Sequence, residues 1–159
     1  MLSAVLLSSL PGCGKRLDTS SPEKYYESWT EVMDSLPASK RKAFDDGMAT
    51  IWFYSKDDAE TNAMIHGKTG REMLAMIEEI TASLPRLDTS SQEAFESSKA
   101  KIRAGLPDSK LNDFDEWAKE LPQYRQGNPR IDALNGLTFR KIVENRNFSN
   151  SQNPDLQKR

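Results

Sequence analysis

One cysteine, Cys13, and one histidine, His66, are all that 159 residues offer of the two residue types on which redox and zinc chemistry depend. An intrachain disulfide cannot form, and a structural zinc site would have to rest on His66 and carboxylates alone. No cofactor or metal is therefore expected. Long apolar runs are missing too, since no stretch approaches the roughly 20 apolar residues that cross a bilayer. Neither sign of charge dominates: 22 Lys and Arg stand against 24 Asp and Glu, for a net of −2, mixed along the helical stretches. That argues against nucleic acid as the main partner. The alternation of apolar and polar residues that marks a half-buried strand is absent as well, so the expected class is all-α. The length allows one ordinary domain or two very small ones and excludes a large multidomain enzyme.

What is present begins at the N-terminus. Met1 to Leu10 read MLSAVLLSSL, an uncharged apolar run, followed by Pro11, Gly12, Cys13, Gly14 and the basic pair Lys15 and Arg16. This is the profile of a signal peptide. It resembles a bacterial lipoprotein signal, with Leu10 three residues before the cysteine and Gly12 directly before it. The resemblance implies cleavage before Cys13 and acylation of that cysteine, hence a membrane partner reached through lipid. Pro11 and the lack of a basic residue ahead of the run depart from the pattern. Gly14, where some lipoproteins have Asp, resembles those carried to the outer membrane, facing the periplasm. A rival reading takes residues 11–15 as the end of a phosphate-binding loop. It fails because Ser9 replaces the opening glycine, Arg16 replaces the magnesium-binding hydroxyl, and no helix is expected directly behind Lys15.

An internal repeat organises the rest. Arg16 to Glu23 returns as Arg86 to Glu93, seventy residues later, and fourteen of thirty positions from Arg16 onward are identical without a gap. Leu36-Pro37 meets Leu106-Pro107, Phe44-Asp45 meets Phe114-Asp115, and after one deletion His66-Gly67-Lys68-Thr69 corresponds to Asn135-Gly136-Leu137-Thr138. Three helices per unit are expected. The first opens on a capping box, Ser20 to Glu23 or Ser90 to Glu93, and buries Tyr25, Trp29, Val32, Met33 and Leu36 before Pro37 stops it. The second runs from Ser39 with Phe44, Met48, Ile51 and Trp52 on one face, or from Ser109 with Phe114 and Trp117. The third starts at Thr69 with Met73, Leu74, Ile77, Ile80 and Leu84, or at Thr138 with Ile142 and Val143. The expected organisation is a signal peptide over 1–12, a lipidated tether over 13–15, repeats over 16–85 and 86–146, and a disordered tail over 147–159. Two such units make a helical bundle of two tandem three-helix repeats, either with one shared core of six helices or as two small bundles in contact, because seventy residues alone are marginal. Trp29 and Met33 become Lys99 and Arg103, so the two copies face different surroundings.

The order of cysteine, Leu-Asp-x-Ser-Ser-x-Glu, apolar helix, Leu-Pro and Asn/His-Gly-x-Thr resembles a family of small uncharacterised proteobacterial lipoproteins, here with the unit present twice. The resemblance implies an envelope location and no reaction. Candidate sites are few. His66 with Asp57, Asp58 or Glu60 could form an acid–base pair, the basis of an alternative reading as an envelope enzyme, but its counterpart Asn135 favours a turn role before glycine. Asp18 and Asp88 precede the first helices and read as helix-start carboxylates. Asp45-Asp46 and Asp113-Asp115-Glu116 lie in helices, where such spacing does not converge on one ion. Tyr26 falls off the buried stripe and is the candidate for an exposed contact with an envelope protein partner.

Overall fold

The computed structural model describes residues 14–151 and is a bundle of eight helices in chain order. They are α1 (Pro22–Ser35), α2 (Ala38–Tyr54), α3 (Asp58–Ile65), α4 (Gly70–Ser83), α5 (Gln92–Ala104), α6 (Asp108–Glu120), α7 (Pro129–Asp132) and α8 (Phe139–Ser151). Extended pairing among the described residues is an isolated bridge between Arg16 and Thr69. The all-α expectation holds, whereas three helices per unit is too few. The added helices are short: α3 buries Thr61 and Ile65, and α7 buries Ile131. One or two buried positions per element leave no periodic stripe to read. The last helix, α8, runs to Ser151, five residues into the expected tail; residues 152–159 lie outside the described residues.

The starts of α1 and α5 are set by serines one residue later than expected, while α2 and α6 begin directly after Pro37 and Pro107 with no side-chain cap. Pro22 occupies the first turn, which its fixed φ suits, so Ser21 is the N-cap and accepts the Lys24 N–H at 3.3 Å. Ser91 does the same for Ala94 in α5 at 3.1 Å. The residue three places on is Lys24 or Ala94, which cannot return the bond, so the reciprocal boxes anticipated at Ser20 and Ser90 do not form. The box at Thr69 and Glu72 does form.

Two cores result. Leu17, Val32, Leu36, Phe44, Met48, Ile51, Ile65, Met73 and Ile77 build one; Leu87, Phe95, Ile102, Leu106, Phe114, Trp117, Ile131, Phe139 and Ile142 build the other. Each fully buried Phe, Met or Leu stabilises the fold by about 1.5–3 kcal/mol relative to exposure. Phe139, unmarked in the sequence, is central to the second core, its ring 5.2 Å from Phe114 and 5.6 Å from Trp117. The cores are joined by the end of α2, whose Phe53 and Tyr54 pack on the second one. Arg140 of α8 completes the joint: its guanidinium donates to Thr50 Oγ1 at 2.8 Å and to the Asp46 carbonyl at 3.0 Å, both in α2, and pairs with Glu144. Within the first half α2 lies against α4 at Gly47, where an added Cβ would stand 2.2 Å from Ile77 Cγ2.

Candidate functional site

Cys13, the expected lipidation site, lies outside the described residues, which begin at Gly14. Behind it the backbone is strapped to the first half. Lys15 Nζ is 3.2 Å from Glu31, Arg16 donates to the Gly67 carbonyl and reaches Glu72 at 3.4 Å, and Leu17, 1% exposed, plugs the first core. Leu17 exchanges backbone bonds with the loop after α3, donating to Lys68 O at 2.9 Å and accepting from Gly67 N at 2.8 Å. Gly67 adopts φ +72°, which opens the loop for that approach. No helix follows Lys15 until Pro22, so the glycines and Lys15 stand before no helix N-terminus that could take a phosphate. The second half repeats the arrangement: Leu87 donates to Leu137 O at 2.9 Å and accepts from Gly136 N at 2.7 Å.

Asp18 and Asp88 serve this strap rather than the helix end directly. Each accepts the N–H two residues on, Ser20 or Ser90, at 2.9 Å, while its own N–H donates to a helix serine, Ser28 at 2.9 Å or Ser98 at 3.0 Å. The Ser20 and Ser90 hydroxyls and amides hold both carboxyls below the ordinary aspartate range. Ser28 and Ser98, identical across the two halves, are the partners that sequence reasoning passed over.

His66 is part of the same strap. Its Nδ1 accepts the Thr19 N–H at 3.2 Å and lies 3.1 Å from the Thr19 hydroxyl. Asn135 Oδ1 accepts the Thr89 N–H at 3.1 Å in the second half, so one acceptor role is filled by two residue types. The acids suggested as partners do not meet it. Asp57 caps the start of α3 by accepting Glu60 N–H at 2.8 Å, and Glu60 accepts Lys56 N–H at 2.6 Å, while His66 closes the far end. Eight residues of helix put about 12 Å between those ends. Asp18, the carboxylate whose charge does feel His66, is turned to Ser20.

One carboxylate of each acidic group is occupied by a basic neighbour. Asp115 takes a two-pronged bond from Arg103 at 2.8 and 3.0 Å, and Asp46 accepts from Lys42. Among the described residues no group of three or more His, Cys, Asp or Glu gathers as a metal site, and no helix is long and apolar enough to cross a membrane.

Tyr26 is 69% exposed. It heads a string of rings that runs inward, 5.7 Å to Tyr25, 5.8 Å on to Trp29 and 5.0 Å to Phe44. Burial pushes the Tyr25 hydroxyl above its ordinary value. Trp52, expected on the buried face of α2, is instead 37% exposed. Beyond the helix stripe, the neighbouring elements decide which of its apolar residues are covered. In the second half the cluster has no counterpart, because Glu96 and Lys99 replace Tyr26 and Trp29, and Lys99 sits 4.9 Å over the Phe95 ring.

Two grooves follow α2 and α4. One, of about 650 Å³, lies where both helices begin, beside Gly14; the other, of about 620 Å³, continues along them to α8, and the two share Lys40 and Leu74. A third, of about 390 Å³, opens between α6 and α8 over Trp117, Leu121 and Ile142.

The fold and these surfaces define a small all-α protein whose polar side chains are engaged in holding loops and helix starts. The chain belongs to the family of unknown function DUF6694, whose model matches residues 1–85, that is, the N-terminal segment and the first half. No curated protein and no solved structure matches it.

Proposed function

We propose that this is a non-enzymatic bacterial envelope lipoprotein, built by duplication of one helical unit, acylated on Cys13 and facing the periplasm from the outer membrane. The supporting observation is the placement of the N-terminal strap. Gly14 and Lys15, next in the chain to the expected acylation site, are exposed beside the C-terminal end of α1. Three residues separate Cys13 from the pinned Arg16, a reach of about 11 Å at full extension. Acyl chains embedded in a bilayer stabilise attachment by about 0.8 kcal/mol per methylene. Tyr26 stands ten residues before Leu36 on the same helix, about 15 Å along its axis from the anchor end. Its ring is thereby held out for an envelope protein partner.

Intact-mass measurement on the membrane fraction tests the anchor. The expected species begins at Cys13 and carries acyl chains, and Cys13→Ala leaves the membrane fraction. Protein that retains Met1, or a Cys13→Ala variant that stays membrane-bound, overturns the assignment. A photo-crosslinking residue at position 26 in living cells is expected to give a discrete adduct that the same probe at exposed Glu79 does not.

A further inference from the structure

The sequence spreads its basic residues evenly, yet the fold collects them. Seven cationic side chains and only three carboxylates line the two connected grooves along α2 and α4, in a chain of net charge −2. The groove beside Gly14 carries Lys15, Arg16, Lys40 and Arg71 against Glu72 alone. Lys15 and Arg16 have carboxylate partners with more than half of each side chain still exposed, while no ion pair holds Lys40 or Arg71 among the described residues. Glu31 stands beside them paired with Lys15, and Glu144 paired with Arg140 and Lys141, so this side keeps an excess of seven cations over five carboxylates. The second half does not repeat this set of residues. At the positions of Gly14 and Lys15 it has Leu84 and Pro85, and the counterpart of Arg71 is Arg140, whose guanidinium is turned into α2.

From this charge distribution, and resting on the lipid anchor at Cys13, we infer that the basic grooves are the face laid against the membrane, where they receive the phosphate groups of anionic lipids. The anchor puts this face there. Cys13 is one residue from Gly14, which lines the groove, and its reach of about 11 Å is close to the screening length of about 8–10 Å at physiological salt. Lys40 and Arg71 therefore feel the surface potential of the leaflet whenever the acyl chains are inserted, and each cation near an anionic surface favours that pose about fivefold. Tyr26 lies toward the other end of α1 and lines neither groove.

The test uses the full chain as isolated from cells, its mass recording whether Cys13 is acylated. The protein is reconstituted in, or if lipid-free added to, vesicles of phosphatidylcholine alone or of equimolar phosphatidylcholine and phosphatidylglycerol. Amide hydrogen exchange is then read over residues 35–42 and 69–74. About tenfold slower exchange is expected on the anionic vesicles only, reversed at about 0.5 M salt. Lys40→Glu/Arg71→Glu is expected to lose the protection while Lys40→Arg/Arg71→Lys keeps it. Equal exchange on both vesicle types, or full protection of the charge-reversed variant, overturns the inference even if Cys13 carries lipid. Equal protection by single-stranded DNA beside neutral vesicles overturns the choice of a membrane. Protection by anionic vesicles of a lipid-free chain supports the surface and removes the anchor instead.

Discussion

Replacing Arg140 by alanine removes the polar joint between the two cores. The side chain is 10% exposed and makes three contacts: Thr50 Oγ1, the Asp46 carbonyl and Glu144. Hydrogen bonds to a charged group contribute about 1.5–3 kcal/mol each, which would suggest a large loss. Two features reduce it. Thr50 keeps its own bond to Asp46 O at 3.0 Å, and Glu144 is 40% exposed and regains water, so neither partner is stranded. The net cost is about 2–3 kcal/mol, or about 5–10 °C in Tm for a chain of this size. Urea unfolding followed by tryptophan fluorescence checks it. Trp29→Phe/Trp52→Phe leaves Trp117 to report on the second core, and Trp117→Phe leaves the other two to report on the first. With Arg140 in place the two midpoints are expected to coincide; with Arg140→Ala both fall and they separate. Unchanged midpoints would refute the assignment of Arg140 as the joint between halves.

Gly47→Ala is expected to destabilise by about 1–2 kcal/mol: a Cβ 2.2 Å from Ile77 Cγ2 overpacks the α2–α4 contact, against the gain of about 1 kcal/mol that alanine brings to a helix interior. In the Ile77→Ala background the sign should reverse, and thermal melts giving a stabilised Gly47→Ala single variant would refute the close contact. His66→Asn should be neutral, because Asn135 already performs the role in the second half, whereas His66→Ala costs about 1 kcal/mol by stranding the Thr19 N–H; equal losses in both variants would sink the equivalence. Stability should fall in acid: Asp18, Asp88 and Glu72 are held below their ordinary values by Ser20, Ser90 and Thr69, so their contribution is complete above about pH 5 and lost as pH drops through the lowered values. Asp18→Asn/Asp88→Asn keeps an acceptor without a titrating proton and should flatten the acid limb of Tm against pH, and an unchanged slope would count against these two carboxylates.

Much of this molecule is determined by sequence alone, wherever the cause is local. Pro37, Pro107 and the stripe through Val32 and Leu36 fix the first helices and where they end, because a proline cannot continue a helix and a 3.6-residue period exposes one face to burial. Thr69 with Glu72 sets a helix start through bonds three residues apart. The match of His66 with Asn135 indicates a turn role that the Thr19 and Thr89 bonds then display. Tyr26 is exposed because it lies off that stripe. Where two segments must meet, the sequence is silent. Ser21 takes the cap from Ser20 because Pro22 claims the first helical position, and Trp52, reached by Tyr25 of α1, is only partly covered. Ser28 and Ser98 matter only once the strap folds back onto α1 and α5. The tertiary structure alone decided that two cores form, that Phe53, Tyr54 and Arg140 join them, and that cations scattered between Lys15 and Lys141 line one continuous side. Charge and burial of that kind depend on distances across the chain, and those distances exist only after α2 and α4 have packed.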